Sequence, residues 1–342
     1  MPNESRSRPA PTMLDVAHAA GVSKASVSIV FRGVEGVSEA TREKVMAAAQ
    51  RLGYRNNRSA SLLSRVRSRQ LGVVMDLQNA YHSQIAAEVL RAADEAGYQV
   101  MFCPRTEQHA EREAITAALE FRCEALLLIG PELSEAELLE LAPGTVLISL
   151  GRDMDSAEIT SVFGDDRLGM ELLVDHLVGL GHRRIAHIDG GSSPVAQARR
   201  DGFEQAMRRH RLFSHAVTAH GGATEADGRR AAQSLLARRH RPTAIAAFND
   251  HCALGAVEVL LAAGVGIPQD VSITGYDDTP VSRLQLINLT SVLQDPGELA
   301  NLAVDAAVGR LEGGREAHRL LSPPALRPRG SSGQAPETAA RH

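Results

Sequence analysis

Apolar positions recur three and four apart between residues 12 and 52, and from residue 70 onward they gather into short unbroken runs. In the first region Met13, Val16, Ala17 and Ala20 share one helical face, introduced by Thr12 and Asp15 at capping-box spacing. Gly21 follows, where a tight turn needs a residue tolerant of positive φ. Ser23 is placed to cap a second helix, SKASVSIVF, with Val27, Val30 and Phe31 facing inward. After the loop RGVEGV, Ser38 caps a third helix to about Leu52, with Val45, Ala48, Ala49 and Leu52 as its stripe. Three short helices with a glycine turn between the first two describe a helix-turn-helix unit.

From Gln70 the pattern changes. LGVVMDL, YQVMFC, EALLLIG, TVLISL, RIAHIDG, AIAAFND and SITGYD read as buried parallel strands. Helical stretches fall between them, at 83–96, 110–121, 167–180, 196–210, 225–239, 251–263 and 297–312. Such alternation builds doubly wound α/β layers, and about 250 residues of it suffice for two lobes. The fold class is therefore α/β, with an all-α helix-turn-helix headpiece ahead of a two-lobed, doubly wound core. The last residues, 327–342, are rich in Pro, Ser, Gly and Ala and are expected to be a disordered tail, as are residues 1–11 at the other end.

Charge divides the chain at the same place. Residues 1–69 carry 12 Lys and Arg against 5 Asp and Glu, a net of +7, while the remainder is net −11. A basic head on an acidic body implies that only the head meets a polyanion. The head lacks the broad apolar face of an interfacial helix, so no membrane partner is expected. No apolar run approaches the ~20 residues that span a bilayer, and no apolar leader precedes the headpiece, so a cytoplasmic location is expected. Cys103, Cys123 and Cys252 have neither disulfide-framework nor zinc spacing and read as buried thiols of a reducing compartment.

The second helix exposes Ser23, Lys24, Ala25, Ser26 and Ser28, small or polar side chains that let its backbone approach a groove. Hydroxyls suit phosphates and base edges, and alanine suits a thymine methyl. Here the chain resembles the lactose/galactose-repressor family: TMLDVAHAAGVSKASVSIVFRGVEGVSEATREKVMAAAQRLGY matches that family's headpiece, with DVA, AGVS, VSEATR and LGY in order. The resemblance continues through Asn57, Ala60 and Leu63 and into the core to about residue 326. It implies a DNA-binding headpiece over 12–56, reading operator DNA through Thr12, Ser23, Lys24, Ala25, Ser26, Ser28, Ser38, Thr41 and Tyr54. It further implies a hinge helix and linker over 57–69, with Asn57, Arg58, Ala60 and Leu63 on the DNA. Leu63 takes the position of the leucine wedge that kinks the operator centre. Eight residues, NRSASLLS, are too few to hold a helix alone, so hinge order must come from a partner copy or from DNA. Arg58, Arg65, Arg67 and Arg69 can meet phosphates or solvate the linker. Two departures stand out: Asn56 replaces the usual proline before the hinge asparagine, and Ile29 occupies a position where many relatives carry arginine.

The resemblance implies a periplasmic-binding-protein-like core, 70–326, crossed three times, near 163, 292 and 318. Its lobes are then roughly 70–163 plus 292–318 and 164–291 plus 319–326. Ligands of such sheets sit at the carboxyl ends of the strands. Asn79, Tyr81, His82, Arg199, Asn249 and Asp277 fall at that register and match the family's effector-binding positions. A carboxylate, an amide and a guanidinium suit a polyhydroxylated, sugar-like effector. Asp250 and Asp278, which also follow strands, either meet ligand or cap the helices behind them, and capping is the favoured reading. Ala223 stands where relatives carry a sugar-stacking aromatic, and Gly151 replaces a common acidic residue before Arg152.

The chain so read is a homodimeric regulator of transcription, expected to be a repressor of a pseudo-palindromic operator switched by a small molecule. Replacing Arg199 or Asp277 by alanine is expected to abolish the response to effector and leave DNA binding nearly intact. No cofactor or metal is expected; His182 and His187 read as structural. An enzyme is disfavoured, since Asp165-Asp166 and Asp277-Asp278 are adjacent carboxylates that diverge, and no Walker A, G-x-S-x-G, H-E-x-x-H or G-x-G-x-x-G pattern occurs. The alternative is a solute-binding receptor of a transport system, which shares the two-lobed fold but needs an export signal in place of a basic head.

Overall fold

A computed structural model describes residues 11–32, 35–54, 67–314 and 318–337. The chain divides into two compact units, Met1–Ser68 and Arg69–His342. The first contains α1 (Met13–Ala20), α2 (Lys24–Arg32) and α3 (Glu39–Leu52). Thr12 and Asp15 form the anticipated capping box, and Gly21 closes α1 in the left-handed region at φ 66°. Ser38 caps α3 by accepting from the Thr41 amide at 3.3 Å. Val16, Ala17, Val27, Val30, Val45, Ala48 and Ala49 make a small shared core. Leu52, expected in the stripe, is 39% exposed. Its place at the base of the core is taken by Tyr54, whose ring lies 5.4 Å from that of Phe31. Gly53 turns the chain at φ 66°, which brings Tyr54 back beneath the helices.

The second unit runs β1 (Gln70–Asp76), α4 (Ala80–Glu95), β2 (Gln99–Arg105), α5 (Glu111–Glu120), β3 (Ala125–Ile129), α6 (Glu135–Leu141), β4 (Val146–Leu150) and β5 (Ile159–Gly164). It continues with α7 (Asp166–Gly179), β6 (Ile185–Ile188), α8 (Pro194–Arg209), β7 (Val217–Ala219), α9 (Glu225–Leu236), β8 (Ala244–Ala247), α10 (Asp250–Ala262), β9 (Ser272–Tyr276) and β10 (Thr290–Leu293). The last elements are α11 (Pro296–Leu311), β11 (Arg319–Ser322) and β12 (Ala325–Arg327). Two six-stranded sheets result, in the orders β11-β5-β4-β3-β1-β2 and β12-β10-β9-β8-β6-β7. Every pairing is parallel except β10 with β12.

All seven anticipated strands form, because an unbroken apolar run satisfies a strand covered on both faces; β3 is buried along its whole length. The first sheet is sandwiched by α4 and α11 on one side and by α5 and α6 on the other. The second sheet is covered by α9 and α10 on one side and by α7 and α8 on the other. Helices α9 and α10 approach closely because Gly228 and Gly255 have no side chain; a Cβ on either would strike the backbone of the other helix.

Two boundaries differ from expectation. The chain enters its final crossing after Ser322 rather than near 318, since β11 pairs with β5 of the first sheet. Residues 328–337 are also placed against the second lobe, contrary to the expected disordered tail. The Ile273 amide donates to the Ser331 carbonyl at 2.9 Å, and the Ala335 amide to the Leu180 carbonyl at 2.8 Å. Ser331 is 3% exposed and its hydroxyl donates to the Ile273 carbonyl. Small polar residues thus serve as hydrogen-bond partners for sheet backbone that would otherwise be buried unpaired.

Candidate DNA-reading surface and ligand cleft

In the headpiece, Ser23, Lys24 and Ala25 are exposed at the start of α2, and Ser26 and Ser28 are half-buried. Ser23 Oγ accepts from the Ser26 amide at 3.1 Å and lies 2.9 Å from the Ser26 hydroxyl. The first turn therefore presents a short, low-profile surface with one cation, Lys24, at its edge. Thr12, Ser38 and Thr41 are engaged in the caps of α1 and α3, and Tyr54 packs on Phe31. The hydroxyls of Thr12, Ser38 and Thr41 stand at helix N-termini, where phosphate contacts are favoured. Ile29 is half-buried and packs toward Gly36 instead of reaching outward. Asn57, Arg58, Ala60, Leu63 and Arg65 lie outside the described residues.

In the second unit, all six anticipated effector residues line one cleft of about 240 Å³ between the two sheets' carboxyl ends. Its centre is Arg199, on α8 and only 3% exposed. Nε donates to Asp166 Oδ1 at 2.8 Å, Nη1 to the Phe248 carbonyl at 2.7 Å, and Nη2 to Asp277 Oδ1 at 3.2 Å. The guanidinium is stacked 3.7 Å from the centre of the Tyr276 ring and 4.7 Å from that of Phe248. Burial opposes its charge, but the Asp166 and Asp277 carboxylates prevail and raise its pKa. Burial likewise pushes the Asp166 carboxyl up, against the pull of Arg199. Gln294 Nε2 also donates to Asp277 Oδ1, at 3.2 Å, which leaves Oδ2 without a hydrogen bond among the described residues. Asp277 reaches this position through a left-handed backbone, φ 93°, an unfavourable conformation for a residue with a side chain.

The facing wall is built at the start of α4. Asn79 caps the helix, its Oδ1 accepting from the amides of Tyr81 and His82 at 3.0 and 3.3 Å. The Tyr81 hydroxyl donates to the Gln294 carbonyl at 3.2 Å, and burial holds its pKa far above the phenol range. His82 Nδ1 accepts from the Asp76 amide at 3.3 Å. Burial, helped by Arg105, lowers its pKa to about 3, so the ring is neutral and Nε2 carries the hydrogen. Asn249 caps α10, accepting from the Cys252 amide at 2.8 Å and donating to the Ala223 carbonyl at 3.1 Å. Its amide therefore shapes the wall already, before any ligand contact.

Contrary to expectation, Asp250 and Asp278 do not cap the helices behind them. Asp250 Oδ2 accepts from the Thr279 amide and hydroxyl, at 2.7 and 2.8 Å, and Oδ1 from the Ser291 hydroxyl at 2.6 Å. Burial, with Asp277 nearby, raises its pKa to about 7. Asp278 accepts from Ser282 and pairs with Arg283 and Arg329. Both hold the β9–β10 connection. Around Arg199 stand residues to which the sequence reading gave no effector role: Asp166, Phe248, Tyr276 and Gln294. Phe248 and Tyr276 each precede a recognised strand-end residue, so their position was a usable signal; Gln294, in the second crossing, offered none. Gly151 adopts φ 78°, where glycine is most at ease. The cleft continues past Gly151, Arg152 and Pro194 into an outer chamber of about 580 Å³.

His182 sits buried between the hydroxyls of Thr243 and Ser272, each 2.9 Å away. The three cysteines are free and buried. No single helix among the described residues is long and apolar enough to cross a membrane.

Known proteins share both units. Residues 12–57 match the family described as bacterial regulatory proteins, lacI family, and residues 174–332 match the periplasmic binding protein-like domain. The transcriptional regulator AscG of Escherichia coli K12 is 32% identical over 311 residues, covering 89% of this chain and 93% of its own. The ribose operon repressor of the same organism is 30% identical, over 94% of this chain and 99% of its own. Among solved structures, the lac repressor dimer bound to operator and the anti-inducer ONPF aligns with a TM-score of 0.83 at 30% identity, over 95% of this chain and all of that one. These relatives are regulators of transcription, neither enzymes nor transport receptors, which sets the transport alternative aside.

Proposed function

The chain belongs to the lacI family of bacterial regulatory proteins, whose members are DNA-binding transcriptional regulators, and we propose that it is a cytoplasmic repressor acting as a homodimer. Two headpieces then read successive major grooves of a pseudo-palindromic operator of about 16–20 base pairs. The structure of a relative as a dimer on operator supports this reading. Ser23, Lys24, Ala25, Ser26 and Ser28 face the bases, Thr12, Ser38, Thr41 and Tyr54 the phosphates, and Asn57, Arg58, Ala60 and Leu63 the minor groove. Net charge of +7 over residues 1–69 makes binding fall steeply with salt.

The effector is a small polyhydroxylated molecule, a sugar or a relative of one, in the cleft. The observation that carries this is the Arg199–Asp277–Gln294 arrangement, a rigid set of donors with the free acceptor Asp277 Oδ2 at its edge. Asn79, Tyr81, His82 and Asn249 complete the wall, and the His82 Nε2–H supplies a neutral donor. Such groups answer hydroxyls, which both donate and accept. Effector binding changes the angle between lobes and separates the paired hinges, so the operator is released; a coupling of about 1–3 kcal/mol gives ~5–150-fold change in operator affinity.

The test is operator binding by the full chain across titrations of ligands suggested by neighbouring genes, for the parent and Asp277→Asn. The variant keeps the size of the side chain and removes the charged acceptor, so it should bind operator and ignore the ligand. A variant that responds at the parent's ligand concentration removes Asp277 from the site.

A further inference from the structure

The end of the second lobe opposite the cleft holds a groove of about 590 Å³. Its floor includes the half-buried Leu236, Val265 and Pro336, and its rim carries Arg184, Arg239, His240 and Arg241. It opens beside the residues that lead into β8 and β9, whereas Asn249 and Asp277 stand at the other ends of those strands.

The rim brings together, in one groove, arginines that hold no counter-charge among the described residues. Elsewhere in the body Arg91, Arg112, Arg209 and Arg229 each hold a carboxylate on the surface. Arg184, Arg239 and Arg241 have no carboxylate in ion-pair reach among the described residues. Arg184 is half-buried and its Nε donates to the Arg241 carbonyl at 3.3 Å, which orients the guanidinium. The one carboxylate of the groove, Asp270, is turned to the Gly266 amide at 2.7 Å. Three guanidinium groups are thus gathered over an apolar floor, in a unit whose net charge from residue 70 onward is −11. Like charges held together raise the local positive potential, and a low-dielectric floor strengthens it. The floor offers nothing to a polar chain, whereas the rim attracts an anion.

We propose that this groove is a second ligand site, separate from the cleft, for a small amphipathic anion. A carboxylate or phosphate head meets Arg239 and Arg241, with Arg184 beside them, and an aliphatic or aromatic body covers Leu236, Val265 and Pro336. Concavity and volume are those of small-molecule sites, which span roughly 300–1,000 Å³. Forked guanidinium donors match the planar or tetrahedral oxygens of such a head.

The experiment is calorimetric titration of the full chain with octyl phosphate, alongside inorganic phosphate and octanol, each half of the probe alone. Octyl phosphate should saturate one such site per chain, and each half should bind about tenfold weaker or worse. The double variant Arg239→Glu, Arg241→Glu should lose about tenfold or more in octyl phosphate affinity while its unfolding transition stays that of the parent, since both side chains are exposed. Binding unchanged in the double variant would place the probe elsewhere and overturn the proposal. Inorganic phosphate binding as well as octyl phosphate would reduce the groove to a plain basic surface. An acidic peptide such as oligoglutamate binding where octyl phosphate does not would make the groove a protein contact and likewise end the proposal.

Discussion

The headpiece and the cleft handle polar function in opposite ways. In the headpiece the residues that build the fold are buried and apolar, and those offered to DNA are exposed and small. In the cleft the candidate binding residues are themselves buried and bonded to one another; Arg199, Asn249 and Asp277 are each at most 6% exposed. Function can therefore be removed from the headpiece surface with little loss of stability. In the cleft the same side chains hold the second lobe together. An alanine scan interpreted alike in both regions would misread one of them.

The sharpest test of this contrast is Arg199→Ala. Sequence reasoning expects it to spare everything but the effector response, yet the structure places the guanidinium between two buried carboxylates and two rings. Removing it leaves Asp166 and Asp277 uncompensated, and the expected cost is about 3–5 kcal/mol, measured by denaturant unfolding of the body. A loss below about 1 kcal/mol would show that the cleft is as separable from the fold as the headpiece surface is.

Next in size is a pH effect confined to the body. Burial disfavours the charge of Asp250 and raises its pKa in the folded protein to about 7, from an ordinary 3.8. The folded state thus binds more protons than the unfolded state between those values, and stability must fall as pH rises through that window and level off above it. One pKa unit is about 1.4 kcal/mol, so the span is up to about 4 kcal/mol. Asp250→Asn should flatten the profile; an unchanged profile would assign the effect to another group.

Smaller still is Leu63→Ala, which should reduce specific operator affinity by about 1–3 kcal/mol while leaving non-specific binding nearly unchanged. Equal bending of operator DNA by variant and parent would take the wedge role from Leu63. The mildest change is Ser38→Ala, which removes the α3 cap from the Thr41 amide and should cost about 1 kcal/mol, read in the headpiece's own melting.

Much of this architecture was legible in the residues because its causes are local. Caps at Thr12 and Ser38, the turn at Gly21 and seven apolar strands need only their near neighbours to be specified. Strands β5, β7, β10, β11 and β12 escaped notice, being short or mixed in polarity and stabilised by the sheet that receives them. The packed segment 328–337 escaped for the same reason: its composition resembles a free tail, and its partners come from β9, β10, the loop before β10 and the end of α7, all distant in sequence.

By itself the sequence determined the helix-turn-helix head, the alternation of strands and helices, and the family, since periodicity, caps and a fifty-residue motif are written in contiguous residues. The state of the cleft was decided by tertiary structure alone. Arg199 meets Asp166, Phe248 and Asp277 across separations of 33, 49 and 78 residues. Nothing local announces such a meeting, because it arises when parallel strands deliver their carboxyl ends to one place and the space between them excludes water. Desolvation then sets the charge of Asp250 and His82 and converts a ring of candidate ligand contacts into part of the core.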